Sequence, residues 1–189
     1  MACKSLGVVV VASILTVMLA APGGWDTAEA RKLKKRKIPS LRVYNVLVNQ
    51  GPNSTEGYNA VQCGGAAARQ APVQFGDTFC FDMPLLKAKD MNSELLGRVQ
   101  GTYTVSQLGG GNVFVAETFI VNGTSLRYKG SFSALGIENI GQLSSKPITG
   151  GTGDYELVTG DAFTTPLGGA NTDAFGNIFF WFKYEFVFR

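Results

Sequence analysis

Residues 177–189 read NIFFWFKYEFVFR, and this stretch decides the class of fold. Every second position carries an aromatic side chain, and these positions are Phe180, Phe182, Tyr184, Phe186 and Phe188. The positions between them hold all the charges of the segment. A helical period of about 3.6 residues would mix those charges among the aromatics, so the pattern predicts a β-strand. We expect its aromatic face to be core or subunit interface, because a barrel strand needs one apolar face.

The same two-residue period recurs from Ser40 onward between turns rich in Gly, Asn and Pro. It predicts eight strands, near Leu41–Asn49, Phe75–Asp82, Leu96–Ser106, Asn112–Val121, Leu126–Ala134, Lys146–Thr149, Tyr155–Phe163 and Ile178–Phe188. Short links between successive strands imply antiparallel neighbours. We therefore predict an all-β domain over residues 40–189, an eight-stranded up-and-down β-barrel whose closure removes the strand edges. Its interior would hold packed side chains or one small ligand.

Two segments between the predicted strands have a less regular pattern. The link from Gln50 to Pro72 is long, and links of this length are commonly functional or disordered. The segment Ile137–Gln142 is compatible with a single turn of helix. Everything else predicts strands and short turns.

A glycine-rich segment, KPITGGTGDYELVTGDAF at residues 146–163, suggests a phosphate loop at first sight. A Walker loop requires Lys and then Ser or Thr after its last glycine, followed by a helix. Here Gly153 is followed by Asp154-Tyr155-Glu156, and the next segment resembles a strand. No βαβ unit surrounds the glycines, which also excludes a Rossmann fingerprint. The glycines are interpreted as conformational, in a tight turn with close backbone approach.

The N-terminus has the layout of a secretory signal, with Lys4, an apolar run and then small residues ending at Ala28-Glu29-Ala30. The apolar run is about 16 residues, short of the roughly 20 that span a bilayer, so a retained anchor is the weaker alternative. We assign residues 1–30 to a signal peptide and residues 31–39 to a basic tail. The tail is either solvated or binds anionic wall or membrane surfaces.

Secretion affects how the cysteines and sequons are interpreted. After signal removal the chain keeps Cys63 and Cys80, which an oxidising compartment would bridge; the alternative is a buried free thiol at Cys80. Asn53-Ser54-Thr55 and Asn122-Gly123-Thr124 are N-glycosylation sequons. Together these features predict an extracellular protein.

Charge and composition exclude several classes of function. From Ile38 onward the chain has ten basic and twelve acidic residues, so the body is near neutral and no nucleic-acid groove is expected. The chain contains no histidine, the usual metal ligand and general base. We expect no metal site, and any chemistry must use carboxylates, Tyr, Lys or Arg.

Four segments resemble, in order and spacing, motifs of the plant dirigent family: FGDTFCFDMPLL (75–86), SELLGRVQGTYTVS (93–106), YKGSFSALG (128–136) and PITGGTGDYELVTGDA (147–162). RVYNVLV (42–48) resembles that family's first strand, and GPNST (51–55) its glycosylated loop. Allene oxide cyclases share the barrel and the Gly-Gly-x-Gly turn, but GRVQGTY is more similar to a dirigent protein.

The resemblance implies a secreted, glycosylated barrel of the plant apoplast, assembled as a homo-oligomer, either a trimer or a dimer. It implies no cofactor, because a separate oxidase or peroxidase supplies the phenoxy radicals of monolignols. The barrel then orients these radicals so that one enantiomer forms, which is catalysis by orientation. Some relatives instead act as isomerases or lyases through cavity carboxylates, and a third possibility is a phenolic-binding module without chemistry. No membrane span is implied.

The resemblance also assigns candidate site residues, with departures. The family's first-strand aspartate falls on Asn45, which hydrogen-bonds a phenol but supplies no acid. Glu138 and Asp82 fall near family aspartates and are the candidate catalytic acids. Tyr103 matches a substrate-binding tyrosine, and with Asn45 it forms the predicted substrate contact. The arginine expected before the Gly-Gly turn has no match, because Ser144 and Ser145 occupy that region.

Overall fold

The computed structural model describes residues 37–50, 57–65, 74–109 and 111–189. The predicted signal peptide, most of the basic tail and the sequon at Asn53 lie outside the described residues. All regular secondary structure in these four ranges is β-strand. Correspondingly, within these ranges there is no apolar helix of membrane-spanning length.

The described ranges contain ten strands, numbered here in chain order. They are β1 (Leu41–Asn49), β2 (Ala60–Gly64), β3 (Thr78–Leu86), β4 (Leu95–Val105), β5 (Asn112–Val121), β6 (Gly130–Asn139), β7 (Ser144–Gly153), β8 (Gly160–Pro166), β9 (Asn171–Thr172) and β10 (Ile178–Phe188).

Eight of these strands close into an antiparallel barrel, as the sequence predicts. From β3 to β8 each strand pairs with the next along the chain, and β8 pairs with β10. Strand β10 pairs with β1 over its whole length, from Leu41↔Phe186 to Asn49↔Ile178. A contact between Tyr44 of β1 and Leu86 of β3 completes the ring.

The two remaining strands are short additions at the rim. Strand β2 lies in the long link after β1 and pairs with β3, while β9 pairs with the first residues of β10. The two-residue period of apolar residues does not identify β2, because contacts with neighbouring strands determine its position rather than its own sequence pattern. The side chain of Asn59, directly before β2, forms two hydrogen bonds with the backbone of β1. Its Oδ1 accepts from Val48 N at 2.7 Å, and its Nδ2 donates to Val46 O at 2.8 Å.

The predicted bounds of three strands around the glycine-rich segment are wrong. Strand β6 begins at Gly130 and ends at Asn139, so it extends into the segment 137–142 for which the sequence allows a helical turn. Strand β7 runs through Gly150–Gly153, which was expected to be a turn, and β8 starts only at Gly160. Glycine permits this continuation: a Cβ at Gly151 would lie 2.4 Å from the Ser131 carbonyl oxygen, so only a residue without Cβ allows the strands to approach.

One end of the barrel is filled by aromatic side chains, here called the aromatic plug: Phe119, Phe132, Tyr155, Phe186 and Phe188. The ring centroids of Phe119 and Phe186 are 4.6 Å apart, and those of Phe132 and Phe186 are 4.8 Å apart. The edge-to-face packing suits the charge distribution of aromatic rings. The C-terminal stripe of β10 is therefore core at this end.

Burial of Tyr155 in the aromatic plug predicts a loss of stability at alkaline pH. Burial, with smaller contributions from Asp154 and Tyr128, raises the pKa of Tyr155 from 10.0 to about 12. The pKa of Tyr155 is higher in the folded than in the unfolded protein. Its contribution to the free energy of unfolding is therefore complete below pH 10 and disappears as the pH rises towards 12. Titrating the free energy of unfolding from neutral pH upward should therefore show a shallower alkaline decline in Tyr155→Phe than in the wild type. Parallel curves of the free energy of unfolding against pH for the two proteins would contradict this prediction.

A disulfide joins Cys63 of β2 to Cys80 of β3, with 5.8 Å between the Cα atoms, which confirms the predicted bridge. It closes a loop of 17 residues, so the chain-entropy model gives a stabilisation of about 3 kcal/mol. We expect the double variant Cys63→Ser, Cys80→Ser to lose this amount in urea denaturation. Reduced wild-type protein is the control and should unfold at the same urea concentration as the variant. An unchanged midpoint in both would show that the bridge contributes nothing.

Candidate functional site

The other end of the barrel holds a cavity of about 340 Å³, within the range of small-molecule sites. Inward-facing side chains of the strands form its apolar wall, which includes Leu47, Phe81, Met83, Tyr103, Val105, Val113, Val115, Phe180 and Phe182. The turn after β6 and Gly168-Gly169 after β8 form its rim. The aromatic face of β10 therefore serves two purposes, since its first half lines the cavity and its second half fills the plug.

Five polar side chains lie between the aromatic plug and the cavity, and we call them the polar layer: Glu117, Glu138, Lys146, Thr164 and Tyr184. Each comes from a different strand, and each occupies an inward-facing position. Glu117, for example, lies between Val115 of the cavity wall and Phe119 of the plug on β5.

Lys146 is the centre of the polar layer. Its Nζ atom lies 2.7 Å from Glu117 Oε1, donates to Thr164 Oγ1 at 3.1 Å and contacts Glu138 Oε1. The side chains of Lys146 and Glu117 have no exposed surface, whereas that of Glu138 is 15% exposed. A buried charge needs such partners, because an isolated one would be very costly.

The two hydroxyl groups of the polar layer both donate to carboxylates. Thr164 Oγ1 donates to Glu138 Oε1 at 2.7 Å, and the Tyr184 hydroxyl donates to Glu117 Oε2 at 3.0 Å. Burial, and then the negative charge of Glu117, raise the pKa of Tyr184 well above its ordinary value. Tyr184 is therefore a neutral hydrogen-bond donor across the whole physiological range.

Two of the predicted site residues, Glu138 and Tyr103, lie at the cavity. The Tyr103 hydroxyl donates to Asn49 Oδ1 at 2.9 Å, and its ring stacks on Phe79 with 4.8 Å between centroids. Burial raises the pKa of Tyr103, and the hydrogen bond with Asn49 offsets part of that effect. Tyr103 is thus a fixed, neutral phenol in the wall.

Asn45, the third predicted residue, lies inside the barrel below the cavity, on the inward face of β1 between Val43 and the wall residue Leu47. It is fully buried on β1, its Nδ2 is 3.9 Å from the sulfur of Met83, and its side chain hydrogen-bonds Tyr184. Asn45 is separated from the cavity by these two lining residues. Its place in the structure is that of a support for Tyr184.

Asp82, the fourth, lies on the outer face of β3. Its Oδ1 accepts from Arg98 Nε at 2.7 Å and its Oδ2 from Gln100 at 3.1 Å, and its side chain is 45% exposed. The hydrogen bond from Arg98 lowers the pKa of Asp82 below its usual value. The structure thus separates Asp82 from Glu138 and offers it no contact with the cavity.

Sequence reasoning missed four members of the polar layer. The signal for two of them was present in the strand parity: Glu117 is a carboxylate in the inward register of NVFVAETFIV, between Val115 and Phe119. Lys146 likewise precedes Ile148 in the inward register of β7. A charge in an inward register, next to an apolar residue two positions away on the same face, marks a buried ion or a cavity.

The predicted sequon that lies within the described residues is away from the cavity. Asn122 is exposed in the turn after β5, at the plug end, so a glycan there would leave the rim open. In the described part of the chain, no three of His, Cys, Asp and Glu are placed to hold a metal ion.

Comparison with known proteins gives the following relatives. A family model described as Dirigent-like protein matches residues 39–179. Dirigent protein 23 of Arabidopsis thaliana is 30% identical over 155 residues, which cover 79% of this chain and 80% of that protein. Dirigent protein 16 of the same plant is 33% identical over 94 residues, covering 49% of this chain but only 38% of the relative.

Solved structures share the fold. A pterocarpan synthase dirigent protein superposes with a TM-score of 0.64 at 21% identity, covering 80% of this chain and 89% of that one. A second pterocarpan synthase dirigent protein gives a TM-score of 0.63 at 20% identity, over 78% of this chain and 93% of that one. At this identity the likeness concerns the barrel alone.

Proposed function

The chain belongs to the dirigent family, and on that premise we propose that it is a secreted protein that steers the coupling of phenoxy radicals formed from monolignols, as in lignan biosynthesis. A separate oxidase or peroxidase supplies the radicals. The barrel holds them so that one face of each is presented to its partner, and geometry rather than bond activation selects the enantiomer.

The observation that carries this proposal is the apolar, aromatic-walled cavity with a polar floor. Phe81, Phe180 and Phe182 offer ring faces and edges to an aromatic guest, while Tyr103 is held in one orientation by Asn49. Aromatic side chains bind rings with preferred offset or edge geometries, so such a wall restricts the orientation of a planar radical. Orientation is what a stereoselective coupling needs.

The experiment is chiral chromatography of the coupling products. Coniferyl alcohol is treated with a one-electron oxidant with and without the purified protein. We expect the protein alone to leave the alcohol unchanged and to give an enantiomeric excess once the oxidant is added. Racemic products across a panel of monolignols would contradict the proposal.

A matched pair of variants tests whether the cavity causes the selectivity. Val115→Phe narrows the cavity, because Val115 is a buried wall residue, whereas Val187→Phe makes the same replacement at an exposed position on the outer face of β10. We expect selectivity to be lost in the first variant and retained in the second. Loss in both would place the effect on the outer surface of the barrel.

The assembly and location follow the same premise. We propose a homo-oligomer, a trimer or a dimer, that is exported by the signal in residues 1–30 and carries glycans at Asn53 and Asn122. Phe114, Leu135 and Ile137 form an exposed apolar patch on the outer faces of β5 and β6, which would suit a contact between subunits. Sedimentation of the secreted protein before and after glycosidase treatment tests both points.

A second candidate is an isomerase or lyase that uses Glu138, and the carboxylates of the polar layer favour it. The ammonium of Lys146 and the hydroxyl of Thr164 both contact Oε1 of Glu138, which accepts a hydrogen bond from each. In this arrangement Glu138 is a hydrogen-bond acceptor, whereas the sequence predicts an acid. Turnover of a substrate without oxidant, lost in Glu138→Gln, would establish this activity. Saturable binding of unchanged ligand would instead indicate a phenolic-binding module.

A further inference from the structure

We propose that the polar layer restricts the cavity to ligands whose innermost polar group is a hydrogen-bond donor without negative charge, and that it rejects carboxylates. The inference rests on the proposed function in that the ligand is an aromatic molecule in this cavity. The inference specifies which polar group of the ligand the polar layer accepts at the floor of the cavity. A ligand that ends in a hydroxyl or an ammonium group binds, and a carboxylate of the same skeleton does not.

The first argument is the order of charges seen from the cavity. Glu117 and Glu138 line the cavity, whereas the ammonium of Lys146 lies behind them with no exposed surface. One lysine faces two carboxylates, so the ionised layer carries one excess negative charge. A ligand carboxylate would approach this charge in a water-poor space, where like charges repel far more strongly than in solution.

The second argument is the direction of the hydrogen bonds. The protons of Thr164 and Tyr184 are donated to Glu138 and Glu117, while the ammonium of Lys146 forms ion pairs with the same two carboxylates and donates to Thr164. Every donor of the layer is therefore already committed within it. A ligand finds acceptors at the floor and no uncommitted donor.

The third argument identifies the acceptor. Among the described residues, the contacts of Glu138 with Lys146 and Thr164 all use Oε1. Its Oε2 is the oxygen left to accept a hydrogen bond from a ligand. A hydroxyl or ammonium group supplies that bond, whereas an ionised carboxyl group has no proton to donate.

Other donors lie at the rim, which constrains the choice of probe. Asn49, Asn139 and Gln142 line the outer part of the cavity and carry amide groups. A ligand with polar groups at both ends could place its carboxylate there. The probes are therefore cinnamyl alcohol, cinnamylamine and cinnamate, which share one skeleton and carry a single polar group each.

The test is isothermal titration calorimetry of the full-length secreted protein with the three probes at neutral pH. We expect the alcohol and the amine to bind at least about tenfold more tightly than cinnamate, a ratio equivalent to about 1.4 kcal/mol. Equal affinities, or tighter binding of cinnamate, would overturn this inference and leave the proposed coupling function intact. Failure of all three to bind would overturn both.

Two variants locate the effect. Glu138→Gln removes the excess negative charge and introduces an amide donor, so the preference against cinnamate should fall by at least about tenfold. Glu185→Gln removes the same charge on the outer face of β10, where Glu185 pairs with Arg42 and Lys183, and should leave the ratio unchanged. An equal change in both variants would assign the selectivity to overall charge, against the inference.

Discussion

Replacing Lys146 with methionine is expected to lower the free energy of unfolding by about 3–5 kcal/mol, because it leaves a buried carboxylate without its counter-ion. Lys146 and Glu117 have no exposed side-chain surface and lie 2.7 Å apart. Methionine fills a similar volume, so the loss measures the uncompensated charge rather than a cavity. Urea denaturation monitored by circular dichroism gives the value.

The matched control is Lys183→Met on the outer wall of β10. Lys183 pairs with Glu185 at 3.0 Å, but both side chains are partly exposed. Exposed pairs contribute about 0–1 kcal/mol, so this variant should unfold close to the wild type. Similar losses in the two variants would mean that water reaches Glu117 and that the layer is not dry.

The double variant Lys146→Met, Glu117→Leu separates charge from shape. Breaking a buried pair is costly, whereas replacing both partners by apolar side chains of similar volume is often neutral. We therefore expect the double variant to regain part of the stability lost in Lys146→Met. A double variant less stable than the single one would show that Glu117 supports the barrel through Tyr184 rather than through Lys146.

The barrel could be predicted from the sequence because its information is local. The two-residue period of β1, β5 and β10 can be recognised in each segment without knowing which strand it pairs with. Short links then allow few topologies for antiparallel neighbours. The ends of β6, β7 and β8 could not be predicted in the same way. Glycine permits either a turn or a continued strand, and the neighbouring strands of the closed sheet decide between them.

The candidate site was only half predictable, for a different physical reason. Glu138 and Tyr103 could be placed by comparison with a family pattern, but the partners of Glu138 are brought together by closure of the ring. Lys146 lies eight residues from Glu138 and Thr164 lies 26 residues from it. The sequence lacks the family's arginine at Ser144 and so predicts no cation in this region. Lys146, two residues later on the same inward face of β7, is that cation.

Asp82 shows how strand parity corrects an assignment made by motif. Its neighbours Phe81 and Met83 face inward, so Asp82 itself must face outward, where Arg98 and Gln100 on the outer face of β4 bind it. The alternation that predicted the strand therefore also contained the direction of this side chain. Of the two predicted acids, strand parity favours Glu138, and it adds Glu117 on the inward face of β5.

Truncating Phe132 to alanine is expected to cost about 3–5 kcal/mol of unfolding free energy, the range for large buried aromatics. Phe132 is fully buried, and its ring contacts four others in the aromatic plug, with centroid distances of 4.8 Å to Phe186 and 5.0 Å to Tyr155. The surrounding rings are held by β5, β10 and the turn after β7, so they cannot fill the space without moving the sheet. Chemical denaturation measures the loss.

Phe180→Ala is the matched control, since it deletes the same side chain from the same barrel interior but at the open end. Phe180 lines the cavity and is partly exposed, so its truncation enlarges an existing space and should cost clearly less stability. Binding should show the opposite order, with cinnamyl alcohol weakened by Phe180→Ala and retained by Phe132→Ala under conditions where both variants are folded. Equal stability losses would mean that the aromatic plug is no better packed than the cavity wall. Weakened binding in Phe132→Ala would mean that the aromatic plug and the polar layer move together. Phe119 and Phe186 would then shift into the void and displace the side chains that form the floor of the cavity.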